Sequence, residues 1–267
     1  MRNEVPDIPL KTSIEVNYIR KSCRLIENTL KGLSDFIRPG ISTLDINNFC
    51  SKMIADSQGG RAIKGYRGYP ASVCTSVNQV ACHGLPTTRP LENGDIVTVD
   101  LTVEIDGWFG DGAWTFMAGP GDADARRLVK AAWSTSMAGI RAIKAGGRLG
   151  DVGYAIESTA RKFGCRVLEN FVGHGIGREI HEDPMVLNRG EPETGQYIVP
   201  GMVITVEPIL TLGKIETKTL EDGWSIVTCD GRRTAQFENT LAVFGDRVEI
   251  LTLTGWNNVS SFENPPF

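Results

Sequence analysis

Four acidic residues fall on predicted β-strands, at positions where a buried strand would normally carry an apolar side chain. They are Asp100, Asp111, Glu207 and Glu238. Each one alone could be a solvent-facing residue on an open sheet surface, which is the simpler interpretation. Four carboxylates buried together without cations would be prohibitively costly, whereas two divalent cations between them would neutralise their charge. Taken together, the four acids predict a metal site on the sheet.

The first two acids lie on a predicted hairpin with the sequence VTVDLTVEIDGWFGD, residues 97–111. Its first half alternates apolar and polar side chains, which is typical of a half-buried strand. The Asp-Gly pair at 106–107 is a type I′ turn signal, so Thr102 should lie opposite Asp111. Because side chains alternate with period two, Asp100 and Asp111 should share one face, diagonally placed and roughly 7–8 Å apart.

All three histidines of the chain, His83, His174 and His181, occur in glycine-rich or turn-flanked segments and not on predicted helix faces. Three glycines surround His174 in FVGHGIGREIH, so the backbone there should turn tightly or be approached closely. A single such histidine is more often structural than a ligand. Beside four carboxylates, one imidazole completes an oxygen-rich ligand set that suits Mn, Fe, Co or Zn. Two such ions about 3.5–4 Å apart would form a hydrolytic centre.

Composition narrows the class of protein. The 267 residues are 41% hydrophobic, which is enough for one large domain or two small ones. A formal net charge of −4, without a run of Lys or Arg, argues against a nucleic-acid partner. No apolar run approaches the ~20 residues of a membrane span, and the first residues lack a signal-peptide core, so we expect a cytoplasmic protein. The six scattered cysteines form no CxxC pair and should be reduced, mostly buried packing residues.

The elements that must position these residues alternate between helices and strands. A capping box at residues 12–15, followed by apolar side chains at spacings of three and four, predicts a long helix that ends at 39–40. A second helix should begin at 42–45, bury Leu44 and close at 59–60. Further helices are expected at about 123–144 and 151–163, and strands at about 95–105, 108–117, 202–210, 224–229 and 235–243. This order favours a duplicated α+β architecture, although no sequence repeat is visible.

Several segments of the chain resemble type I methionine aminopeptidases, which are metallopeptidases of the pita-bread fold. The segments are CHGLP at 82–86, DLTVEIDGWFGD at 100–111, GHGIGREIHEDP at 173–184, MVITVEP at 202–208 and AQFENTL at 235–241. Their order and spacing match the family over most of the chain. The resemblance implies an α+β fold in which a pseudo-twofold pair of α+β halves surrounds a curved antiparallel sheet. It also implies one catalytic metallopeptidase domain over residues 1–267, of which residues 1–11 form an N-terminal arm.

The resemblance assigns the acids and one histidine to a dinuclear centre. Asp111 and Glu238 would bridge two divalent ions, which could be Co, Mn, Fe(II) or Zn. Asp100 would complete the ligand set of one ion, and His174 with Glu207 would complete that of the other. Ions bound in this way would activate a water molecule and polarise the scissile carbonyl.

The same resemblance implies three catalytic side chains. Glu207 would shuttle the proton from water to the leaving amine, His181 would stabilise the oxyanion, and His83 would hold the scissile amide. Both histidines would thereby also contact the substrate. A methionine side chain needs an apolar, adaptable pocket. The matching pocket positions are Tyr66, Tyr69, Cys74, Trp224, Ile63 and Ile180.

Two of these pocket positions depart from the family version that carries a cysteine and a phenylalanine there. Ile63 and Ile180 are both apolar, so selectivity for methionine should survive. A third group of residues, Asn78, Val80 and Thr234, matches a position where the family often binds a monovalent cation such as Na or K.

The implied function is removal of the N-terminal methionine from nascent polypeptides when the second residue is small, near the ribosome, by a monomer without a nucleic-acid or membrane site. By that rule the chain itself, which starts Met1-Arg2, should keep its methionine. A prolidase or Xaa-Pro aminopeptidase is the nearest alternative, but those carry a large domain before the first ligand, and only 99 residues precede Asp100. A non-enzymatic binding protein on this fold typically lacks metal ligands. A specialised, inhibitor-resistant copy is a further hypothesis, suggested by the two pocket isoleucines.

Overall fold

The computed structural model describes residues 8–57, 60–253 and 265. The helices are α1 (Ser13–Phe36), α2 (Thr43–Ala55), α3 (Ala123–Ala142) and α4 (Leu149–Lys162), with a 3-10 turn at Tyr66–Gly68. The strands are β1 (Arg61–Ala62), β2 (Cys74–Val77), β3 (Val80–Cys82), β4 (Ile96–Ile105), β5 (Trp108–Met117), β6 (Arg166–Val167), β7 (Gly173–Gly175), β8 (Glu182–Val186), β9 (Val203–Val206), β10 (Ile209–Thr211), β11 (Thr217–Thr219), β12 (Ile226–Thr228), β13 (Thr234–Gln236), β14 (Glu238–Val243) and β15 (Val248–Ile250).

The long hairpin of β4 and β5 forms the centre of the molecule. Asp106 and Gly107 both adopt positive φ angles, 56° and 76°, as a type I′ turn requires. The strands pair with Ile105 opposite Trp108 and with Thr102 opposite Asp111. The predicted hairpin and its register are therefore confirmed.

This hairpin belongs to a large antiparallel sheet with the strand order β1-β4-β5-β14-β9-β7-β8, to which β2 adds beside β4 and β15 beside β14. Two three-stranded sheets, β13-β10-β6 and β11-β12-β3, flank it. Two helices precede the β4–β5 hairpin, and two more precede β7, β9 and β14. The predicted order of helices followed by strands is thus present in both halves of an α+β fold.

Helix α1 packs across the central hairpin. Thr12 and Glu15 form the predicted capping box. The helix buries a face that includes Ile19, Cys23 and Ile26. A Cβ atom at Gly110 of β5 would lie 2.8 Å from the Cys23 sulfur, so this crossing needs a glycine.

The prediction for α2 is correct in where the helix begins but wrong in one core residue. Ser42 and Asp45 form a capping box in its first turn. Leu44 lies in the first turn and is 37% exposed. The buried stripe runs through Ile46, Cys50 and Ile54, four residues apart, so Leu44 points away from the core. The predicted close of α2 at 59–60 lies partly outside the described residues, as do residues 1–7 of the predicted arm.

Two predicted strands are each divided in the structure. The segment 202–210 separates into β9 and β10, and 235–243 separates into β13 and β14. Strands β9 and β14 pair in the large sheet, whereas β10 and β13 pair in a three-stranded sheet. Both chain segments therefore cross from one sheet to the other, side by side. Pro208, which has no amide hydrogen to donate, sits at one crossing, and Phe237 sits at the other. Glu207 and Glu238 therefore lie where the sheets meet.

The main core fills the space between helices and sheets. Its largest fully buried side chains include Trp114, Trp133 and Phe237. The six cysteines are free, and all but Cys229 are buried, as predicted for packing residues. Within the described part of the chain, no helix combines the length and the apolar character that a membrane crossing requires.

Candidate metal centre and substrate pocket

All of the predicted metal ligands and substrate contacts line one cavity of about 240 Å³. Its acidic floor comes from the face of the sheet that carries Asp100 and Asp111. Asp100 on β4 and Glu238 on β14 each lie opposite Ala113 of β5. Residues opposite one another on neighbouring strands share a face, so the two carboxylates flank this alanine. The complete lining comprises Ile63, Tyr66, Arg67, Tyr69, Cys74, His83, Asp100, Thr102, Asp111, His174, Ile180, His181, Glu207, Trp224 and Glu238.

His174 of β7 enters this floor from the second half of the sheet. Its Nε2 atom lies 3.4 Å from Glu207 Oε1 and 4.0 Å from Asp111 Oδ2. The Nδ1 atom is 2.9 Å from the carbonyl oxygen of Gly175, which can only accept, so Nδ1 carries the proton. That hydrogen bond leaves the lone pair of Nε2 directed at the carboxylates, as a metal-ligating histidine requires.

The acids are arranged as ligands of cations would be. One potential ligand atom from each of Asp111, His174 and Glu238 lies within 4.8 Å of the others. Glu238 Oε1 is buried without a hydrogen-bond partner among the described residues. A buried carboxylate oxygen without a partner is costly, and a metal ion would satisfy it. The residues present therefore fit divalent metal binding.

Electrostatics lead to the same conclusion. Burial raises the pKa of Asp100 to about 7 and that of Glu207 to about 8. Burial, with the nearby charges of Asp100 and Glu207, raises the pKa of Asp111 well above its usual range. The pKa of Glu238 is raised well above its usual range by burial and by Asp111. Without cations this cluster would hold protons near neutral pH, whereas bound divalent ions would favour the ionised carboxylates.

Two threonines orient the ligands from behind. Thr102 donates to Asp111 Oδ1 at 3.1 Å. Thr205 donates to Glu207 Oε1 at 2.7 Å and accepts the backbone N–H of His174 at 3.0 Å. Neither threonine is among the predicted site residues. Their signal was present, because each stands two residues from an acid and therefore shares its face on an extended chain.

The other two histidines stand at the mouth of the cavity. His83 adopts a positive φ of 54°, which turns the chain after β3. The rings of His181 and His174 lie 4.4 Å apart, and Tyr66 Oη is 3.3 Å from His181 Nδ1. Desolvation by the cavity walls lowers the pKa of both His83 and His181, and the positive charge of Arg67 lowers the pKa of His181 further. Both rings are therefore neutral at pH 7, each with one N–H to donate.

An apolar pocket adjoins the acids. The rings of Tyr69 and Trp224 meet edge to face with centroids 5.1 Å apart. Tyr69 Oη lies within hydrogen-bonding distance of two carbonyl oxygens, so its ring is fixed. Ile63, Cys74 and Ile180 line the remaining walls. Arg67 also lines the cavity, and its backbone has a positive φ of 48°. It is not among the predicted site residues. An exposed arginine in a glycine-rich segment carries no signal that distinguishes it from other surface cations.

The three residues of the predicted monovalent-cation position also come together. Thr234 Oγ1 is 2.9 Å from the carbonyl oxygen of Val80 and 3.2 Å from that of Asn78. The backbone N–H of Thr234 donates to the same Asn78 oxygen at 2.8 Å. The described structure thus places a hydroxyl and two carbonyl oxygens in one small group.

The chain resembles known proteins over nearly its whole length. The model for metallopeptidase family M24 matches residues 17–244. Methionine aminopeptidase A of Synechocystis sp. is 42% identical over 247 residues, 92% of this chain and 98% of that protein. The methionine aminopeptidase of Rickettsia prowazekii is 39% identical over 248 residues, 92% of this chain and 96% of that protein.

Solved structures extend the comparison to the fold. The crystal structure of the Rickettsia prowazekii enzyme matches with a TM-score of 0.89 and covers 92% of this chain and 100% of that one. Prolidase from Pyrococcus furiosus matches with a TM-score of 0.72 at 19% identity, and the match covers 66% of that chain, so this likeness concerns the fold alone. The predicted pita-bread architecture is confirmed.

Proposed function

The chain belongs to metallopeptidase family M24, and from that premise we propose that it is a methionine aminopeptidase that removes the first methionine of a polypeptide when the second residue is small. Relatives of similar length carry that name at 39% and 42% identity. The observation that carries the proposal is the single cavity in which the acids, three histidines and an apolar pocket meet.

Five residues, Asp100, Asp111, His174, Glu207 and Glu238, would hold two divalent ions. The ligand set suits Co, Mn, Fe(II) or Zn. When bound, such ions polarise the scissile carbonyl and acidify the water molecule that attacks it.

Glu207 is the residue that moves the proton. Its carboxylate accepts a proton from the attacking water and then delivers it to the leaving amine. Thr205 orients this carboxylate through a hydrogen bond of 2.7 Å to Oε1. In the metal-free protein, burial raises the pKa of Glu207 to about 8.

His181 and His83 act on the substrate's peptide group. When the Tyr66 hydroxyl donates to His181 Nδ1 across 3.3 Å, the ring proton resides on Nε2. Nε2 then donates to the carbonyl oxygen, whose negative charge grows in the transition state. His83 holds the scissile amide from the other side of the mouth.

Tyr66, Tyr69, Cys74, Trp224, Ile63 and Ile180 form the pocket for the methionine side chain. The flexible thioether of methionine fills an irregular apolar cavity well, and it makes favourable contacts with aromatic rings. The substitution by isoleucine at two positions leaves the pocket apolar. Resistance to inhibitors remains a hypothesis, which fails if a reagent that alkylates His83 reacts as readily as with other family members.

Nascent polypeptides as substrates imply that the enzyme acts near the ribosome, in the cytoplasm. We propose further that it is a monomer and that residues 1–267 form one catalytic domain. A Na or K ion at Asn78, Val80 and Thr234 would stabilise the turn between β2 and β3.

A peptide panel tests the function. We expect the metal-loaded protein to release methionine from Met-Gly-Met, and to leave Met-Lys-Met and Leu-Gly-Met intact. Comparison of Met-Gly-Met with Met-Lys-Met tests the requirement for a small second residue. Comparison of Met-Gly-Met with Leu-Gly-Met tests the selectivity of the pocket for methionine. Cleavage of Ala-Pro-Met in place of Met-Gly-Met would assign the chain to a proline-specific activity instead.

A further inference from the structure

Lys11 is a buried cation outside the cavity that the proposed reaction does not use. Its ammonium group pairs with the carboxylate of Glu182, and the two side chains expose only 5% and 9% of their surface. The ammonium also donates to the carbonyl oxygen of Pro9 at 2.6 Å. The Lys11 amide donates to the carbonyl oxygen of Gly201 at 2.7 Å. The end of the predicted N-terminal arm is therefore fixed to the body of the molecule.

Glu182 connects this cation to the backbone of an active-site loop. The loop comprises residues 176–181 and joins β7 to β8. Glu182 Oε1 accepts the N–H of Arg178 at 2.8 Å and the N–H of Glu179 at 3.2 Å. Its other oxygen, Oε2, receives the Lys11 ammonium. One carboxylate thus holds two consecutive amides on one side and a lysine on the other.

The loop held in this way delivers two side chains to the cavity. Ile180 lines the apolar pocket, and His181 stands beside the metal ligand His174 with their rings 4.4 Å apart. Both follow directly after the amides that Glu182 binds. A shift of the loop would therefore move the pocket wall and the proposed oxyanion donor together.

The lysine stem also packs directly on the loop. A Cβ atom at Gly177 would lie 2.3 Å from Lys11 Cε and 2.8 Å from Glu182 Oε1. The absence of a side chain at Gly177 is what allows the lysine to reach the carboxylate.

We propose that Lys11 is a positioning residue for the peptidase reaction: it fixes Glu182 against the loop amides and so sets the position of His181 and Ile180. The inference rests on the proposed function for the reaction that it serves, while the loop contact itself stands on geometry. Removing the ammonium leaves a buried carboxylate without its counter-charge, which drives Glu182 to reorient toward water. The amides of Arg178 and Glu179 then lose their acceptor.

Hydrogen–deuterium exchange of the metal-loaded protein measures the loop directly. In Lys11→Met we expect the amides of residues 178–181 to exchange at least tenfold faster than in the wild type. The matched control is Arg20→Met, because Arg20 bonds to Glu249 at 2.9 and 3.0 Å and so also ties the N-terminal part of the chain to the body. In Arg20→Met the exchange of residues 178–181 should remain at the wild-type rate.

Kinetics on Met-Gly-Met test the consequence for the reaction. We expect Lys11→Met to lower kcat about tenfold, since His181 acts on the transition state, and to raise KM about threefold, since Ile180 lines the methionine pocket. The affinity for Mn, measured by calorimetry, should be unchanged, because Lys11 touches no predicted ligand. Lys11→Arg should recover most of kcat, and Arg20→Met should retain it.

Wild-type exchange and wild-type kcat in Lys11→Met would overturn the inference. If Lys11→Met does not fold, Lys11→Gln replaces it: this variant keeps a donor toward Glu182 but lacks the charge, and we expect threefold effects in both measurements. If the wild-type protein releases no methionine, the proposed function is wrong, and the exchange measurement alone decides whether Lys11 holds the loop.

Discussion

Asp100 and Glu238 face one another across Ala113, which lies directly opposite both of them in the central sheet. Alanine is the smallest side chain with a Cβ atom, so it places little bulk between the two carboxylates. Ala113 itself is fully buried. A larger side chain at this position would extend between two of the carboxylates that are proposed to hold the cations.

The Ala113→Val variant should therefore bind divalent metal at least tenfold more weakly than the wild type. Calorimetric titration of the metal-stripped protein with Mn measures this. Ala242→Val is the control, because Ala242 is equally buried on β14 but packs with Val16 and Ile19, away from the cavity. The steric explanation is wrong if both variants retain wild-type affinity.

His181→Ala should lower kcat for Met-Gly-Met by about 10²–10³, since removal of one oxyanion donor typically costs that much. Metal affinity should be unaffected. Tyr66→Phe removes only the hydroxyl that orients the ring, 3.3 Å from Nδ1, and a smaller loss is expected. Equal kcat in His181→Ala and the wild type would remove this histidine from the mechanism.

The metal-free protein should lose stability as the pH rises from 6.5 to 8.0. Burial raises the pKa of Asp100 to about 7 and of Glu207 to about 8, so the folded state retains protons that the unfolded chain releases near pH 4. Where the folded state binds more protons, stability falls with rising pH, by roughly 1.4 kcal/mol per pH unit for each proton. His174, whose pKa burial lowers to about 4, is neutral in the folded state throughout this range. An unfolded histidine is about half-protonated at pH 6.5 and mostly neutral above about pH 7, so its opposing effect on stability is confined to the start of the range.

Thermal unfolding at several pH values, with and without Mn, tests this linkage. Bound metal supplies the counter-charge and displaces the protons, so the loaded protein should show a flatter dependence. A metal-free protein whose Tm is independent of pH between 6.5 and 8.0 would contradict the account of the acid cluster.

Arg67→Ala should shift the acid limb of the pH–activity profile to higher pH. The positive charge of Arg67 helps to lower the pKa of His181, so its removal makes protonation of that ring easier. In protonated His181, Nδ1 carries a hydrogen and no longer accepts a hydrogen bond from the Tyr66 hydroxyl. We expect activity to fall as a result. Profiles of kcat/KM from pH 5.5 to 8 measure the shift, with the exposed Arg61→Ala as the control for net charge. Identical acid limbs in both variants would exclude this role.

Local signals predicted the hairpin that carries the first two acids. The Asp-Gly turn sets the register of β4 and β5, and that register places Asp111 opposite Thr102. The capping box at Thr12 likewise predicted where α1 begins, and residues 42–45 predicted the start of α2. These features depend on residues close together in the chain, which is why a single sequence could reveal them.

Features that depend on distant parts of the chain were not predicted. The residues around Pro208 and Phe237 continue a strand-like pattern, and the sequence therefore predicted one continuous strand at each place. The breaks arise because the two parts of each segment pair with strands in different sheets. The sequence pattern selected the four acids and the three histidines, and the resemblance to known enzymes supplied their roles and the pocket residues. The geometry adds Thr102, Thr205 and Arg67. The sequence places Lys11 at the end of the N-terminal arm and gives no sign of its ion pair, because its partner Glu182 lies 171 positions away.

The central claim is that Asp100, Asp111, His174, Glu207 and Glu238 hold two divalent ions that enable removal of methionine. The most direct test strips the protein with chelator and titrates Mn or Co while release of methionine from Met-Gly-Met is followed. The account predicts no release without metal, and activity that rises with added metal and saturates by two equivalents per chain. Full activity in the stripped protein, or a folded and metal-loaded protein that releases no methionine, would contradict it.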